Sequence, residues 1–338
     1  MADPGGERLA TSYDLLMFDL DGVVYLDGRA VEHAAESIAE SRAAGAHIAF
    51  ITNNASRTPE QVSEHLRELG VGADAQDVVT SSQAAARLLR DHHGIGARVA
   101  VLGADGLLEA LREAGLVPVP VGDADAVAIV SGYAPEVRWK TIMRAAVEIR
   151  NGLPWVATNT DPTLPTGEGP APGHGALVTM ISRFAGVRPE VAGKPERPLF
   201  DETLRRVGGE RPLMVGDSLH TDIAGAHHAD TDSLLVMTGV TALSDLVAAR
   251  PDQRPTWVGH DLRALGRPGC AATEHDGGWR ATGWSARVED GRLVVDGAGD
   301  PDGWWAVVGA AGWAHLDARG ETVDVSALSA PGPDAEAG

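Results

Sequence analysis

The sequence alternates short, unbroken apolar runs with segments of helical periodicity, and this pattern constrains the fold more than any other feature. Residues 13–18, 47–51 and 212–215 have the length and apolarity of strands buried on both faces of a parallel sheet. Helical patterns such as 31–44 and 139–150 lie between such runs. This alternation is typical of an α/β protein, so we predict a doubly wound, Rossmann-like parallel sheet.

The charge balance bears on the kind of partner. Lys and Arg number 28 and Asp and Glu 48, which gives a net charge of −20. A surface this acidic repels nucleic acid and anionic membranes, so we expect neither as a partner. A small anionic substrate stays compatible with the sequence, because a bound metal and a few aimed donors can override the average field locally.

Cysteine usage and hydropathy indicate the compartment. The single cysteine, Cys270, excludes an internal disulfide and a cysteine-rich metal site. Residues 1–10 are polar and lack the apolar core of a signal peptide. No apolar run approaches the roughly 18 residues of a membrane span. We therefore expect a cytoplasmic protein.

Two carboxylates follow the first apolar run. Asp19 and Asp21 stand in the predicted turn after the strand, and Gly22 permits that turn to be tight. Ligands of open α/β sheets bind beyond the carboxyl ends of strands, so one carboxylate can act as a nucleophile while the other transfers a proton. Asp-x-Asp-Gly is also a common loop sequence, and the motif alone leaves a solvated turn open.

Donors suited to a phosphate group occur at two further places. Thr52, Asn53 and Asn54 follow the second run and offer a hydroxyl and consecutive backbone N–H groups. Lys194 is one of only two lysines in the chain, and its ammonium group can pair with a phosphate or a carboxylate. Each feature alone is also compatible with an ordinary turn.

Further carboxylates follow residues 212–215. Asp217 comes two residues after this run, and oxygen ligands of this kind are those that Mg²⁺ prefers. Asp222 is equally compatible with an acidic residue at the start of a helix.

Taken in order, these features resemble the four motifs of the haloacid dehalogenase (HAD) phosphatase superfamily. The matching residues are Asp19-Leu20-Asp21-Gly22, Thr52, Lys194, and Gly216-Asp217 with Thr221-Asp222. The segments 52–58, 159–161 and 192–195 resemble its branch of 4-nitrophenylphosphatase and phosphoglycolate phosphatase-like enzymes. Ser218 and His220 depart from the residues common in that branch, but neither position is a metal ligand in the family.

The resemblance implies Mg²⁺-dependent hydrolysis of a small phosphorylated metabolite. Asp19 is then the nucleophile that forms an aspartyl-phosphate, and Asp21 is the general acid and base. The metal is expected to be held by Asp19, the Asp21 carbonyl and Asp217. The phosphate is expected to be bound by Thr52, Asn53, Asn54 and Lys194.

Spacing predicts an inserted α/β cap domain. Only 29 residues separate Gly22 from Thr52, whereas 141 separate Thr52 from Lys194, about a hundred more than one βαβ unit needs. We assign the cap to residues 82–184 and the HAD core to 13–81 and 185–262. The Thr-, Pro- and Gly-rich stretch 155–175 is predicted to be a long ordered loop of the cap. Its residues Asn159 and Asp161 are candidates to contact the leaving group of the substrate.

The ends of the chain differ in composition from the middle. Residues 1–12 and 330–338 are expected to be flexible or disordered tails. Six of the eight tryptophans follow residue 256, and short strands are predicted at 284–288, 292–295 and 304–308, with Asp-Gly hairpin turns. We therefore predict a small β-rich domain at 263–329, which is either a structural appendage or a ligand-binding or regulatory module. This extra segment resembles an actinobacterial subgroup of glycerol-3-phosphate phosphatases.

Several functions compete with hydrolysis of glycerol 3-phosphate. Phosphoglycolate, a nucleotide, or another sugar or polyol phosphate would suit the same motifs. A dehalogenase would need neither a second acid at Asp21 nor a metal, and a phosphomutase usually carries its cap in the short first interval, so both are disfavoured. A homodimer formed through the cap is compatible with this organisation.

Overall fold

The computed structural model describes residues 6–26, 28–167 and 169–332. The chain divides into two compact units, which we call the first unit, Met1–Ile48 with Gly209–Gly338, and the second unit, Ala49–Gly208. None of the helices in the described ranges is long and apolar enough to cross a membrane.

Four parallel strands form the central sheet of the first unit. In sheet order they are Trp257–Gly259, Asp232–Val236, Pro212–Gly216 and Leu15–Phe18. Every residue from Leu15 to Phe18 is fully buried, as expected of a parallel strand covered on both faces. The predicted α/β class with a parallel sheet is confirmed.

Short helices and turns connect these strands. The helices are Leu9–Ser12, Ala34–Ala43, Ala224–His228, Leu243–Val247 and Pro301–Arg319, with a π-helical turn at Leu219–Ile223 and 3₁₀ turns at Pro251–Gln253 and Leu262–Gly266. A two-stranded hairpin joins Tyr25–Leu26 to Arg29–Ala30.

The expectation of a flexible tail over residues 1–12 is wrong for its last part. Leu9 and Ala10 are buried, and the Leu9 N–H donates to the Arg267 carbonyl at 2.8 Å. The helix Leu9–Ser12 therefore packs against the unit through one apolar turn. The predicted tail at 330–338 lies outside the described residues from position 333 onward.

The C-terminal segment combines an antiparallel sheet with a long helix. The strands are Thr273–His275, Gly278–Ala281, Trp284–Glu289 and Arg292–Gly297. The Asp-Gly turn predicted between 284–288 and 292–295 is confirmed, since Asp290 has a positive φ angle of 48° and Gly291 one of 77°. The other two predicted Asp-Gly turns are wrong, because Asp296-Gly297 ends the strand Arg292–Gly297 and Asp302-Gly303 lies in the helix Pro301–Arg319.

The strand predicted at 304–308 is wrong, because these residues lie in the helix Pro301–Arg319. Asp300 caps that helix by accepting from the Asp302 N–H, and Pro301 occupies its first turn. The helix is apolar nearly all round, as a buried helix is, so its pattern resembles that of a buried strand. Trp304 and Trp305 share one hydrophobic core with Leu235 of the parallel sheet.

The second unit contains a five-stranded parallel sheet. In sheet order its strands are Glu190–Val191, Trp155–Ala157, Ala128–Ser131, Arg98–Leu102 and Val117–Pro120. The strand Val78–Thr80 pairs in parallel with His47–Thr52, whose residues from Ala49 onward belong to this unit. The helices are Pro59–Glu68, Ser81–His93, Asp105–Glu113, Trp139–Arg150, His174–Ala185 and Pro198–Val207, with a 3₁₀ turn at Ala75–Asp77.

The stretch 155–175, predicted as a loop, contains regular structure. The strand Trp155–Ala157 opens it, and an antiparallel hairpin of Thr163–Thr166 and Gly169–Pro172 follows. Pro170 and Pro172 argue against a strand inside a sheet, but a two-stranded hairpin has two free edges on which prolines are tolerated. The sequence prediction was therefore wrong about this segment.

Candidate active site

Three carboxylates converge in the first unit. Asp19 follows the strand Leu15–Phe18, Asp217 follows Pro212–Gly216, and Asp222 lies in the π-helical turn Leu219–Ile223. These two strands are parallel neighbours, so their carboxyl ends meet at the same edge of the sheet. One oxygen from each carboxylate lies within 4.8 Å of the other two. Asp217 and Asp222 are almost completely buried, and Asp19 is partly buried.

The donor set fits a hard divalent cation. Three neighbouring carboxylates repel one another, and a cation with a preference for oxygen ligands offsets that repulsion. The backbone leaves room for the Asp217 carboxylate only because its neighbours are glycines. A Cβ atom added at Gly22 or at Gly239 would overlap Asp217 Oδ2. Gly22 also has a φ of 80°, which favours glycine.

Asp222 belongs to this cluster and also supports the loop that carries Asp217. Its Oδ2 atom accepts hydrogen bonds from the N–H groups of Asp217 at 3.2 Å and Ser218 at 3.1 Å. The sequence left open whether Asp222 was only an acidic residue at a helix start. The structure places its carboxylate beside those of Asp19 and Asp217.

Asp21 lies in a tight turn next to Asp19. The Gly22 N–H donates to the Tyr25 carbonyl at 2.8 Å, and the Val24 N–H donates to the Leu20 carbonyl at 2.9 Å. Asp21 is exposed, and among the described residues its side chain does not join the carboxylate cluster. The metal contact expected from its backbone carbonyl stays a prediction.

The second unit holds the residues predicted to bind phosphate. Thr52 is buried at the end of the strand His47–Thr52, and its Oγ1 atom accepts from the Asn54 N–H at 3.0 Å. Asn54 is exposed, and its Oδ1 atom accepts from the N–H and the hydroxyl of Ser56 at 2.9 and 2.8 Å. These bonds fix the turn that follows the strand.

The side-chain amide of Asn53 connects this turn to Lys194. Its Oδ1 atom accepts from the Lys194 N–H at 2.8 Å, and its Nδ2 atom donates to the Lys194 carbonyl at 3.0 Å. Lys194 is almost fully buried. A Cβ atom at Gly193 would lie 2.5 Å from Asn53 Oδ1, so glycine permits the close approach of the two segments.

Asn159 and Asp161 also contact Asn53. The Asn159 Nδ2 atom donates to the Asn53 backbone carbonyl at 2.7 Å, and Asp161 Oδ1 accepts from Asn53 Nδ2 at 3.1 Å. Asn159 is buried, whereas Asp161 is partly exposed. Both residues therefore help to hold the turn after Thr52, and contact with a leaving group stays a prediction for both.

A buried histidine anchors the start of the helix His174–Ala185. The ring nitrogen Nε2 of His174 lies 3.1 Å from Ser131 Oγ, which accepts from Trp155 Nε1 at 2.9 Å. Burial lowers the pKa of His174 from 6.5 to about 4. The Gly175 N–H of the same helix donates to the Asp161 carbonyl at 2.8 Å, so this helix supports the segment that carries Asp161.

Sequence reasoning missed several residues that shape both clusters. Ser81 Oγ donates to the Asn53 carbonyl at 2.8 Å, and Thr238 and Thr241 contact the turns that carry Gly22 and Asp217. Position offered one available signal, since the segment 238–241 directly follows the predicted strand 233–237, as the other motifs follow theirs.

Comparison with known proteins identifies the family. Residues 16–117 match the haloacid dehalogenase-like hydrolases, and residues 191–265 match the HAD-hydrolase-like family. The chain is 40% identical over 296 residues to the D-glycerol 3-phosphate phosphatase of Mycobacterium tuberculosis, covering 88% of this chain and 82% of that protein. The chain therefore belongs to the haloacid dehalogenase-like hydrolases.

Solved structures of the family agree in fold. A glycerol phosphate phosphatase of M. tuberculosis, solved in complex with magnesium, aligns with a TM-score of 0.83 and 39% identity over 93% of each chain. A 4-nitrophenylphosphatase of Thermotoga maritima aligns with a TM-score of 0.70 and 28% identity, covering 77% of this chain and 98% of that one. The protein is a phosphatase of the HAD family, as its motifs predicted, and the predicted Mg²⁺ agrees with the magnesium-bound relative.

Proposed function

We propose that this phosphatase hydrolyses glycerol 3-phosphate in a Mg²⁺-dependent reaction through an aspartyl-phosphate. The observation that carries the proposal is the cluster of Asp19, Asp217 and Asp222 at the carboxyl ends of two parallel strands. It occurs in a chain that is similar over most of its length to a D-glycerol 3-phosphate phosphatase. The magnesium-bound relative covers 93% of this chain.

The two aspartates of the first motif divide the chemistry between them. Asp19 attacks phosphorus and forms the aspartyl-phosphate, which splits one difficult displacement into two easier ones. Asp21 is exposed beside it, which suits a group that protonates the leaving alkoxide and then takes a proton from the attacking water. When bound, Mg²⁺ would be held by Asp19, Asp217 and the Asp21 carbonyl, and would offset the repulsion between carboxylate and phosphate.

The second and third motifs supply the donors for the transferred group. The Thr52 hydroxyl, the N–H groups of Asn53 and Asn54, and the Lys194 ammonium group bind the phosphoryl oxygens. An ammonium group is a compact positive charge with three donors, which suits it to the oxygens of a phosphoryl group. The Asn53 amide fixes the Lys194 backbone, which keeps this lysine in place between turnovers.

Residues 82–184 form the cap in this proposal, and its segment 159–161 selects the leaving group. Support comes from the sheet of the second unit, whose strands Arg98–Leu102, Ala128–Ser131 and Trp155–Ala157 lie within this range and share a core of their own. Asp161 would accept hydrogen bonds from hydroxyl groups of a polyol. Asn159 would hold the turn on which Asp161 depends, since it is buried and bonded to Asn53.

The C-terminal segment acts as a structural appendage. Its indoles and aliphatic side chains form one core with Leu219, Leu235 and Leu246 of the phosphatase part of the same unit. Residues buried in this way are unavailable to a ligand, which disfavours a separate binding or regulatory module. Truncation at residue 262 would therefore be expected to destabilise the first unit.

A homodimer formed through the cap completes the proposal. The helix Trp139–Arg150 exposes Trp139, Met143 and Val147, which recur every four residues and so form one stripe on its outer face. An exposed apolar stripe of this kind is typical of an interface, and a second copy of the chain would bury it symmetrically. Light scattering should give a dimer mass for the parent and a monomer mass for Met143→Asp; a monomeric parent would exclude the dimer.

A panel of phosphate esters tests the substrate. The panel contains glycerol 3-phosphate, 2-phosphoglycolate, a nucleoside monophosphate, a sugar phosphate and 4-nitrophenyl phosphate, each with Mg²⁺ and with phosphate release as the readout. We expect the highest kcat/KM with glycerol 3-phosphate. A higher value for another member would reassign the substrate, and no release from any member would overturn the proposed reaction.

A further inference from the structure

We propose that the segment Thr238-Gly239-Val240-Thr241, which we call the threonine loop, positions both the metal-binding carboxylate Asp217 and the turn that carries Asp21. This inference rests on the proposed function of those aspartates. The threonine loop follows the strand Asp232–Val236, which is the parallel neighbour of Pro212–Gly216. It therefore starts at the same edge of the sheet as Asp217 does.

Asp217 is held by the threonine loop at its side chain and at its backbone. The Val240 N–H donates to Asp217 Oδ2 at 2.7 Å, and the Thr241 hydroxyl donates to the Asp217 carbonyl at 2.5 Å. Both Asp217 and Thr241 are buried. The Val240 side chain itself is 73% exposed, so this residue contributes to the contact through its backbone rather than through packing.

Gly239 brings the loop into direct contact with the carboxylate. A Cβ atom at this position would overlap Asp217 Oδ2, Cγ and Cβ. The backbone of the loop therefore forms one wall of the space in which the Asp217 carboxylate sits. Asp217 is thus held at its backbone carbonyl and at Oδ2, and its other carboxylate oxygen is presented in one orientation. This lowers the conformational entropy that is lost when the carboxylate binds a metal.

Thr238 reaches the motif that carries the other two aspartates. Its hydroxyl donates to the Gly22 carbonyl at 2.6 Å. Gly22 directly follows Asp21 and closes the turn by donating to the Tyr25 carbonyl. The threonine loop thus contacts both the turn after Asp21 and the metal-binding residue Asp217. Thr238 bonds to the first and Thr241 to the second.

This division predicts different phenotypes for the two threonines. Loss of the Thr241 hydroxyl should weaken the binding of Mg²⁺, because it frees the backbone of a metal ligand. Loss of the Thr238 hydroxyl should lower kcat with little change in Mg²⁺ affinity, because it loosens the turn next to the general acid Asp21. If the two hydroxyls only stabilised the fold, their loss would lower the free energy of unfolding. The Kd for Mg²⁺ and the kcat of the folded protein would then stay unchanged.

Calorimetric titration of the full chain with Mg²⁺ tests the first part. We expect Thr241→Val to raise the Kd for Mg²⁺ by about 10- to 100-fold, the usual effect of losing a residue that orients a metal ligand. Thr241→Ser keeps the hydroxyl and should bind Mg²⁺ close to the parent value. Thr256→Val is the matched control, since the Thr256 hydroxyl bonds Ser233 and Asp232 instead of the site.

Steady-state kinetics at saturating Mg²⁺ test the second part. Thr238→Val should lower kcat by about 10- to 100-fold, as expected when a reacting group is displaced slightly. Its Mg²⁺ titration should match the parent, and Thr238→Ser should restore kcat. Circular dichroism and thermal melts of every variant establish that the folded protein is being compared.

The outcomes separate this inference from the proposed function. If the parent binds no Mg²⁺ or releases no phosphate, the proposed function fails. If the parent does both and Thr241→Val binds Mg²⁺ as tightly as Thr256→Val does, the role assigned to Thr241 is wrong. If Thr238→Val keeps the parent kcat, or if both threonine variants change the same parameter equally, the division of roles is overturned.

Discussion

Asn53 and Lys194, 141 positions apart in the chain, are joined by two hydrogen bonds through a single side-chain amide. The amide oxygen accepts from the Lys194 N–H, and the amide nitrogen donates to the Lys194 carbonyl. The same nitrogen donates to Asp161. Two candidate phosphate-binding segments and the segment assigned to the cap therefore depend on the donor and acceptor of one asparagine.

Asn53→Asp should damage this connection although it changes the side chain very little. An aspartate keeps the acceptor but replaces the donor by an oxygen, which would face the Lys194 carbonyl and the Asp161 carboxylate. We expect the free energy of unfolding to fall by about 1–3 kcal/mol, the cost of leaving buried polar groups unpaired. Urea unfolding measures it, with the exposed Asn151→Asp as the control. Equal effects of the two substitutions would contradict the role of the amide.

Asp19→Asn should abolish turnover and leave the fold intact. The substitution removes the nucleophile and keeps the volume of the side chain, so the aspartyl-phosphate cannot form. Phosphate release should drop to that of a heat-inactivated sample, while the circular dichroism spectrum stays unchanged. Asp276→Asn, at an exposed position in a C-terminal turn, should retain the parent rate. Substantial activity of Asp19→Asn would disprove covalent catalysis by this residue.

Removal of metal by a chelator should abolish phosphatase activity, and Mg²⁺ should restore that activity better than Ca²⁺. Asp19, Asp217 and the Asp21 carbonyl offer only oxygen ligands, and Mg²⁺ holds such ligands in tight octahedral geometry. The larger Ca²⁺ takes more ligands and would disturb the alignment of nucleophile and phosphate. The test is activity after EDTA treatment and dialysis, with the residual metal measured. Full activity of a metal-free sample would exclude metal dependence.

Asp161 should affect the choice of substrate. Asp161→Asn keeps an acceptor for Asn53 and removes the charge, so the hydrogen bond at 3.1 Å can persist. We expect this variant to lose kcat/KM on glycerol 3-phosphate but not on 4-nitrophenyl phosphate, whose leaving group carries no further hydroxyls. The loss of one hydrogen bond to substrate typically costs about 0.5–1.5 kcal/mol. Equal losses on both substrates would show that Asp161 only braces the turn.

His174 should make the protein less stable in mild acid. Its pKa is about 4 in the folded protein against 6.5 ordinarily, because burial disfavours the charged imidazole. Between these two values the unfolded chain binds a proton that the native protein does not. Stability is therefore full above pH 6.5 and falls as the pH is lowered toward 4, by up to about 1.4 kcal/mol per pH unit.

The comparison of the parent with a His174 variant measures this effect. The free energy of unfolding of the parent minus that of His174→Gln should decrease from pH 7 to pH 4.5. Taking this difference removes the contribution of the titrating carboxylates, because both proteins carry the same ones. A parallel pH dependence of parent and His174→Gln would contradict the assignment.

Local patterns predicted many of the elements. The sequence Thr58-Pro59-Glu60 predicts a helix with Thr58 as N-cap and Pro59 in its first turn. The structure confirms this, since the Thr58 hydroxyl accepts from the Gln61 N–H and Pro59 opens the helix. Residues 98–102 have the pattern of a strand, and the structure shows the strand Arg98–Leu102. The helix Trp139–Arg150 also has its predicted bounds. These features depend on propensity, capping and periodicity over a few neighbouring residues, and such information is contained in the sequence itself.

Predictions failed where distant contacts decide the conformation. Residues 304–308 are as apolar as a buried strand, but they lie in a helix because the C-terminal sheet and Leu246 cover it. Leu9 and Ala10 are ordered by their contact with the segment around Arg267. The hydrophobic periodicity of a segment does not show which residues from distant parts of the chain pack against it.

The sequence by itself determined the alternation of strands and helices in the α/β part, the position of the polar motifs after strands, and the chemistry that these residue types allow. Only the tertiary structure decided that Asp222 lies beside Asp19 and Asp217 and that the Asn53 amide bonds to the Lys194 backbone. The hydrogen bond from the threonine loop to Asp217 is likewise visible only in the tertiary structure. The physical reason is the range of the interactions. Propensity and capping act within one turn or strand, whereas a site is made by strands that are distant along the chain and adjacent in a sheet.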